Sequence, residues 1–184
     1  MRAVVVFESM FGNTEEIARA VAEGLRGARP DAVVDCLPVH EAAMPIEADL
    51  LVVGGPTHFL GLASERSRHM AGRFDEAGGH AQSPAGGRHV QPGEDEGLRG
   101  WLEALPQAPV GRRAAAFDTR LDKLLHGSAA ARIAHRLAHK GYDLVAEPEG
   151  FVVLDMTGPA RSGELERAKA WGACLVPASS PARG

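Results

Sequence analysis

The sequence predicts an α/β protein with a doubly wound parallel sheet and helices on both faces. Short apolar runs that suit buried strands alternate with stretches whose apolar residues recur at helical spacing. Alternation of this kind is typical of parallel sheets covered on both sides. The chain has 184 residues, of which 45% are hydrophobic, and this is enough for one domain with a full core.

The first half of the chain predicts three strands and one helix. Residues 3–7 (AVVVF) are apolar throughout, as strands buried on both faces are. Ile17, Val21 and Leu25 recur every four residues and predict a helix over 14–27. Two further apolar runs predict a shorter strand at 32–37 (AVVDCL) and a strand at 48–55 (ADLLVVGG) that ends in glycines.

The second half continues the alternation. Residues 113–117 (RAAAF) predict a weaker fourth strand, and a helix follows over 127–140. Residues 149–155 (EGFVVLD) predict a fifth strand, and a helix over 162–175 closes the fold. Together these elements predict five strands in one sheet, with right-handed crossovers.

One segment interrupts the alternation. We expect helices over 64–76 and 94–104, with a glycine- and proline-rich mobile surface loop at 77–93 between them. The tail 178–184 (ASSPARG) is expected to be frayed. The predicted domain organisation is therefore a single domain over 1–177 with one insertion.

Composition excludes several classes of protein. A net charge of −4 argues against a general nucleic-acid binder, which is normally basic. No apolar stretch approaches the roughly eighteen residues of a membrane span, and the N-terminus leads directly into a strand rather than a secretory signal. The two cysteines lack metal-ligand spacing, and His135 and His139, which are four residues apart, lie among basic residues on a solvated helix face, so no metal site is predicted. A cytoplasmic location is expected.

The loop between the first strand and the first helix predicts an anion site. Ser9, Asn13 and Thr14 offer side-chain donors, and Gly12 permits close backbone approach. The start of a helix presents unpaired N–H groups and partial positive charge. Because the loop holds no Lys or Arg, it suits a phosphate monoester tethered to a larger ligand. An ordinary helix N-cap, made by Asn13 or Thr14, is the alternative.

Two motifs resemble the flavodoxin family. FESMFGNTEEIARAVAEGL is similar to the phosphate-binding loop of flavodoxins: an aromatic strand end, Ser-x-x-Gly-Asn-Thr, and a helix with alanine four residues later. DLLVVGGPTHFLG resembles the second flavin loop of flavodoxin-like proteins, including the related quinone reductases. The resemblance implies the strand order 2-1-3-4-5, with FMN at the carboxyl ends of strands 1, 3 and 4. The strand order and the position of FMN are implied by the family resemblance and do not follow from the spacing of residues in this sequence.

The resemblance also implies which residues contact the cofactor. The first loop would surround the phosphate through Ser9, Met10, Phe11, Gly12, Asn13 and Thr14, with Met10 and Phe11 acting through backbone amides. The second would line the ribityl chain and ring through Pro56, Thr57, His58, Phe59, Leu60 and Gly61. A third loop is expected at 117–123 (FDTRLDK), where Asp118 and Thr119 would contact the ring edge through backbone groups, together with Arg120.

The chain departs from typical flavodoxins at the ring. Trp101, Trp171 and Tyr142 are its only Trp and Tyr residues, and none lies on a predicted flavin loop. Arg120 near the flavin N1–C2=O edge would stabilise the reduced anion and raise the potential. We therefore expect a weaker reductant than a typical flavodoxin.

Three functions fit these observations. The first is an FMN-binding electron carrier or small oxidoreductase, with no catalytic residue beyond the flavin site. The second is an NAD(P)H- or menaquinone-linked quinone reductase on the same fold, and the third is a binding module that lost its cofactor. The expected partner is a redox protein or a small quinone.

Overall fold

Six parallel strands occupy five positions in the sheet of the computed structural model, which describes residues 1–57, 97–122 and 128–177. The order is β2-β1-β3-β4-β5, with β6 also paired to β4, and it confirms the predicted order 2-1-3-4-5. The strands are β1 (Arg2–Phe7), β2 (Val33–Pro38), β3 (Leu50–Pro56), β4 (Arg113–Leu121), β5 (Asp143–Leu144) and β6 (Glu149–Val153). β5 and β6 share the fifth position, because β5 pairs with the start of β4 and β6 pairs with its end.

Helices cover both faces of the sheet, as predicted. The described helices are α1 (Asn13–Ala28), α2 (Leu98–Ala104), α3 (Ala129–His139) and α4 (Glu164–Cys174), with a 3-10 turn at Val39–Glu41. Val5 packs with α1 and α4 on one face, whereas Val4 and Val6 pack with α2 and α3 on the other. This alternation follows from the two-residue repeat of a strand and explains why β1 is apolar throughout.

Two glycines allow α1 and α4 to pack with their backbones in close approach. A Cβ atom added to Gly24 would lie 2.0 Å from the Lys169 carbonyl oxygen, and one added to Gly172 would lie 2.3 Å from that of Val21. No side chain fits at such distances. α1 is therefore held directly against the last helix of the fold.

The fourth strand differs from its prediction. β4 continues to Leu121, so Asp118, Thr119 and Arg120 lie within the strand and not on a loop after it. The expected third loop at 117–123 is wrong in this respect. The predicted helix at 64–76, the loop at 77–93 and the tail at 178–184 lie outside the described residues, and the single-domain assignment stays a prediction.

Candidate functional site

The first predicted loop and the described start of the second, Pro56 and Thr57, lie at the carboxyl edge of the sheet. β1 lies between β2 and β3 in the sheet. The connection after β1 leads to β2 on one side, and the connection after β2 crosses to β3 on the other side, so the strand order reverses at β1. In doubly wound sheets, ligands bind in the crevice at such a switch point. In the sheet register Phe7 is opposite Gly54, and Gly54 is opposite Phe117. The residues that follow these three positions therefore gather at one edge.

Gly12 directly precedes α1 as its N-cap residue, in a conformation that favours glycine. Its φ of 92° is left-handed, and no side chain caps the helix start. The Gly12 N–H donates to Ser9 Oγ at 3.0 Å, which folds the loop back over its own backbone. The alternative of an ordinary N-cap made by Asn13 or Thr14 is therefore wrong. The first amides of α1 have no intrahelical acceptor, as at any helix start.

The side chains of Asn13 and Thr14 contact other parts of the protein. Asn13 Nδ2 donates to the carbonyl oxygens of Met156 at 3.0 Å and Asp155 at 3.3 Å, in the loop that follows β6. Thr14 Oγ1 lies 2.8 Å from Thr119 Oγ1, and both threonines are buried. The loop is thus joined to the ends of β4 and β6.

Thr57 and Asp118 hold the start of α3. The Thr57 N–H donates to the Thr119 carbonyl at 2.8 Å, and Thr57 Oγ1 accepts from the Ala129 N–H at 2.9 Å. Asp118 is fully buried, and its Oδ2 accepts from Ser128 Oγ at 2.8 Å and from the Ala130 N–H at 3.0 Å. Among the described residues, Asp118 Oδ1 has no hydrogen-bond partner.

The sequence did not predict that Thr57 and Asp118 cap α3. The signal was Ser128, a favoured N-cap residue directly before an alanine-rich helical stretch. Its hydroxyl does accept from the Ala131 N–H. No local pattern could show that Thr57 and Asp118, distant in sequence, complete the cap.

Arg120 lies on the opposite face of β4 from Thr119. Its guanidinium packs over Gly150, because a Cβ atom added there would lie 2.4 Å from Arg120 Cζ. Pro56 ends β3 at the carboxyl edge. The remaining predicted contacts, His58, Phe59, Leu60 and Gly61, lie outside the described residues.

A charged network supports β6 beside this edge. The buried Glu164 accepts from the Val152 N–H at 3.0 Å, and it also pairs with Arg161 and Arg167. Burial alone would raise the pKa of Glu164, but hydrogen bonds from Arg167 and Val152 and the Arg167 charge hold it below its ordinary value. The carboxylate therefore fixes the edge of β6 to the start of α4.

Neither a metal cluster nor a spanning helix is found in the described part of the chain. Over residues 1–57, 97–122 and 128–177, no group of three or more His, Cys, Asp or Glu side chains is placed to hold a metal ion. Within the same ranges, no helix has the length and apolar character needed to cross a membrane.

The sheet order and the helices on both faces define a flavodoxin-like α/β fold. The flavodoxin family model matches residues 5–78, a stretch that contains both loop motifs, and it confirms the resemblance to that family. No curated protein matches the chain.

Solved flavodoxins share the fold over nearly the whole chain. Oxidised flavodoxin 1 from Bacillus cereus is 17% identical, with 95% of this chain and 97% of that chain covered and a TM-score of 0.63. A flavodoxin from the domain Archaea is 18% identical, covers 95% and 96%, and has a TM-score of 0.61. The flavodoxin of Streptococcus pneumonia TIGR4 is 21% identical, covers 95% and 97%, and has a TM-score of 0.58.

Proposed function

We propose that the chain binds FMN at the carboxyl ends of β1, β3 and β4 and acts as an electron-transfer flavoprotein. One observation carries the proposal. α1 begins directly after a left-handed Gly12, with no side-chain cap, next to the switch point of the sheet. A helix start in this state favours an anion, and the loop before it carries the phosphate-loop motif of flavodoxins.

The donors at this edge suit a phosphate monoester. Ser9 Oγ accepts from the Gly12 N–H, so the hydroxyl hydrogen of Ser9 remains for a ligand oxygen. The backbone amides of Met10, Phe11, Asn13 and Thr14 and the hydroxyl of Thr14 would complete the set. The ring would lie toward Pro56, Thr57 and the residues after them. Thr57 and Asp118 would act by holding β3, β4 and α3 in place.

The flavin, when bound, supplies the redox chemistry, and the protein supplies binding, orientation and electrostatics. In this chain, α1 would anchor the phosphate and the carboxyl ends of β3 and β4 would carry the ring-contacting loops. Arg120 is the proposed source of positive charge near the ring. Electrons would pass to a redox protein or a small quinone.

The first test is a visible absorption spectrum of the purified protein before and after addition of FMN. Bound flavin should absorb at roughly 370 and 450 nm, with a band shape changed from that of free FMN. A titration of the apoprotein with FMN and with riboflavin then measures the contribution of the phosphate. If neither flavin binds at micromolar concentration, the proposed function is wrong and a cofactor-free module is favoured.

A further inference from the structure

A buried pair of hydroxyl groups joins the first turn of α1 to β4. Thr14 Oγ1 and Thr119 Oγ1 lie 2.8 Å apart, and the two residues are 2% and 4% exposed. Thr119 is itself held in the sheet, since its carbonyl accepts from the Thr57 N–H and its neighbours in register are Pro56 and Phe151. Of the two residues, Thr119 is therefore fixed in β4, and Thr14 lies at the candidate anion site.

The two hydroxyl groups carry two hydrogens between them, and one hydrogen is used in the bond that they share. If Thr14 donates, the remaining hydrogen belongs to Thr119, inside the sheet. If Thr119 donates, the remaining hydrogen belongs to Thr14, at the start of α1. An anion at that helix start favours the second arrangement, because hydrogen bonds to a charged acceptor are the stronger ones.

We propose that Thr119 is a positioning residue for the phosphate loop: its hydroxyl donates to Thr14 and leaves the Thr14 hydrogen for a phosphate oxygen. This inference rests on the proposed FMN function and deepens it. It gives the Thr119 side chain a role toward the phosphate end of the ligand, whereas the sequence predicted a backbone contact with the ring. Hydrogen bonds in such a chain polarise one another, which strengthens the terminal bond to the anion.

A purely structural role for the same pair makes a different prediction. If the bond only holds α1 against β4, its loss weakens the binding of FMN and riboflavin by the same factor. If Thr119 orients the Thr14 hydrogen, the loss falls on the phosphate alone. The ratio of the FMN and riboflavin affinities therefore separates the two roles.

The experiment measures the dissociation constants of FMN and riboflavin for the full-length apoprotein by quenching of flavin fluorescence. Thr119→Val removes the hydroxyl and keeps the shape, whereas Thr119→Ser keeps the hydroxyl. Ser128→Ala removes another hydroxyl hydrogen-bonded to β4, at the start of α3, and is the matched control. Thr119→Ala carries the same comparison if the valine variant does not fold.

We expect Thr119→Val to weaken FMN binding about tenfold and riboflavin binding by less than about twofold, as the loss of one hydrogen bond predicts. Thr119→Ser should restore the FMN affinity, and Ser128→Ala should leave the FMN-to-riboflavin ratio unchanged. Thr14→Val combined with Thr119→Val should be no worse than Thr14→Val alone, because the two residues act through one contact.

Three outcomes would overturn the inference. Equal losses for FMN and riboflavin would show that Thr119 is structural, and no loss for either would show that the pair does not act on the ligand. In both cases the proposed FMN function would stand. If the wild-type protein bound neither flavin, the proposed function would fail and this inference would fail with it.

Discussion

The polar residues of β4 show how single side chains build this end of the fold. Asp118 and Thr119 point to opposite faces of one strand, and each meets a different helix: Asp118 caps α3, and Thr119 contacts Thr14 of α1. A buried carboxylate at a helix start is stabilised by the N–H groups and by the helix dipole. These two residues thus orient both helices that face the site.

Replacement of Asp118 should show the strength of this cap. Asp118→Ala removes the acceptor for Ser128 Oγ and the Ala130 N–H, and we expect a loss of about 2–3 kcal/mol in the free energy of unfolding. Asp118→Asn keeps one oxygen acceptor and should lose less. Urea denaturation of both variants measures the difference, and equal stability of the wild type and Asp118→Ala would contradict the assignment.

Glu164 gives the fold a dependence on pH. A carboxyl group whose pKa is lowered by folding binds fewer protons in the folded state than in the unfolded state at acidic pH. Its contribution to stability is therefore complete above its ordinary pKa of 4.5 and is lost as the pH falls toward the lower folded value.

The Glu164→Gln variant should be less stable at pH 7 and should lose less stability between pH 5 and pH 3 than the wild type. Urea midpoints across this range measure both effects. Glu166→Gln removes the same charge from an exposed position on α4 and is the control for net charge. Parallel wild-type and Glu164→Gln profiles would contradict the prediction.

At the scale of the elements, the contact between α1 and α4 depends on residues that have no side chain. Gly24 and Gly172 lie where the helix backbones approach each other, whereas a Cβ atom added to Gly27, one turn along α1 from Gly24, would meet nothing within 4 Å. The two glycines of α1 therefore have different effects on stability. Gly24 makes a contact possible, and Gly27 only lowers helix propensity.

This difference predicts opposite effects of one substitution. Gly24→Ala should lower the free energy of unfolding by about 2–3 kcal/mol, because the added methyl group forces the helices apart. Gly27→Ala should stabilise it by about 0.5–1 kcal/mol through helix propensity. Thermal unfolding of the two variants decides the question, and the same sign of change for both would show that α1 and α4 do not pack as described.

Elements with a uniform local pattern could be predicted from the sequence, and elements completed by distant partners could not. β1 and α1 were predicted to within about one residue at each end, because burial on one or both faces leaves a clear periodicity. Strand β4 was predicted too short, since Asp118 and Thr119 are polar and their partners lie on other elements. Strand β5 was missed because two exposed residues carry no pattern.

The site could be predicted in part. The change of hydrophobic pattern placed the stretch 9–14 at the junction of a strand and a helix, and the resemblance supplied the strand order. The partners of Asn13, in the loop after β6, could not be inferred from any local pattern. The same holds for Arg120, whose packing over Gly150 depends on the register of β4 and β6.

At the scale of the whole molecule, the proposed ligand would contact elements from both halves of the chain. The candidate site includes the loop before α1, the end of β3 and the end of β4, and these are tied to β6 and α3 by hydrogen bonds. A ligand that binds only the folded state stabilises it by mass action. The size of that effect depends on ligand concentration relative to the dissociation constant.

FMN should therefore raise the unfolding temperature. At a free concentration of about 100 times the dissociation constant, the gain is about 2.7 kcal/mol, or roughly 5–10 °C for a chain of this size. Inorganic phosphate, which would occupy only the start of α1, should give a much smaller shift. A melting temperature that does not change with FMN would contradict the proposed function.

The close contact between α1 and α4 also bears on the order of events during synthesis. Gly24 is synthesised about 145 residues before its partner Lys169. At about 5–20 residues per second, α4 is synthesised roughly seven to thirty seconds after the face of α1 that carries Gly24, and that face stays uncovered by α4 until then. The packing of α1 at Gly24 therefore forms only after the residues of α4 have been synthesised.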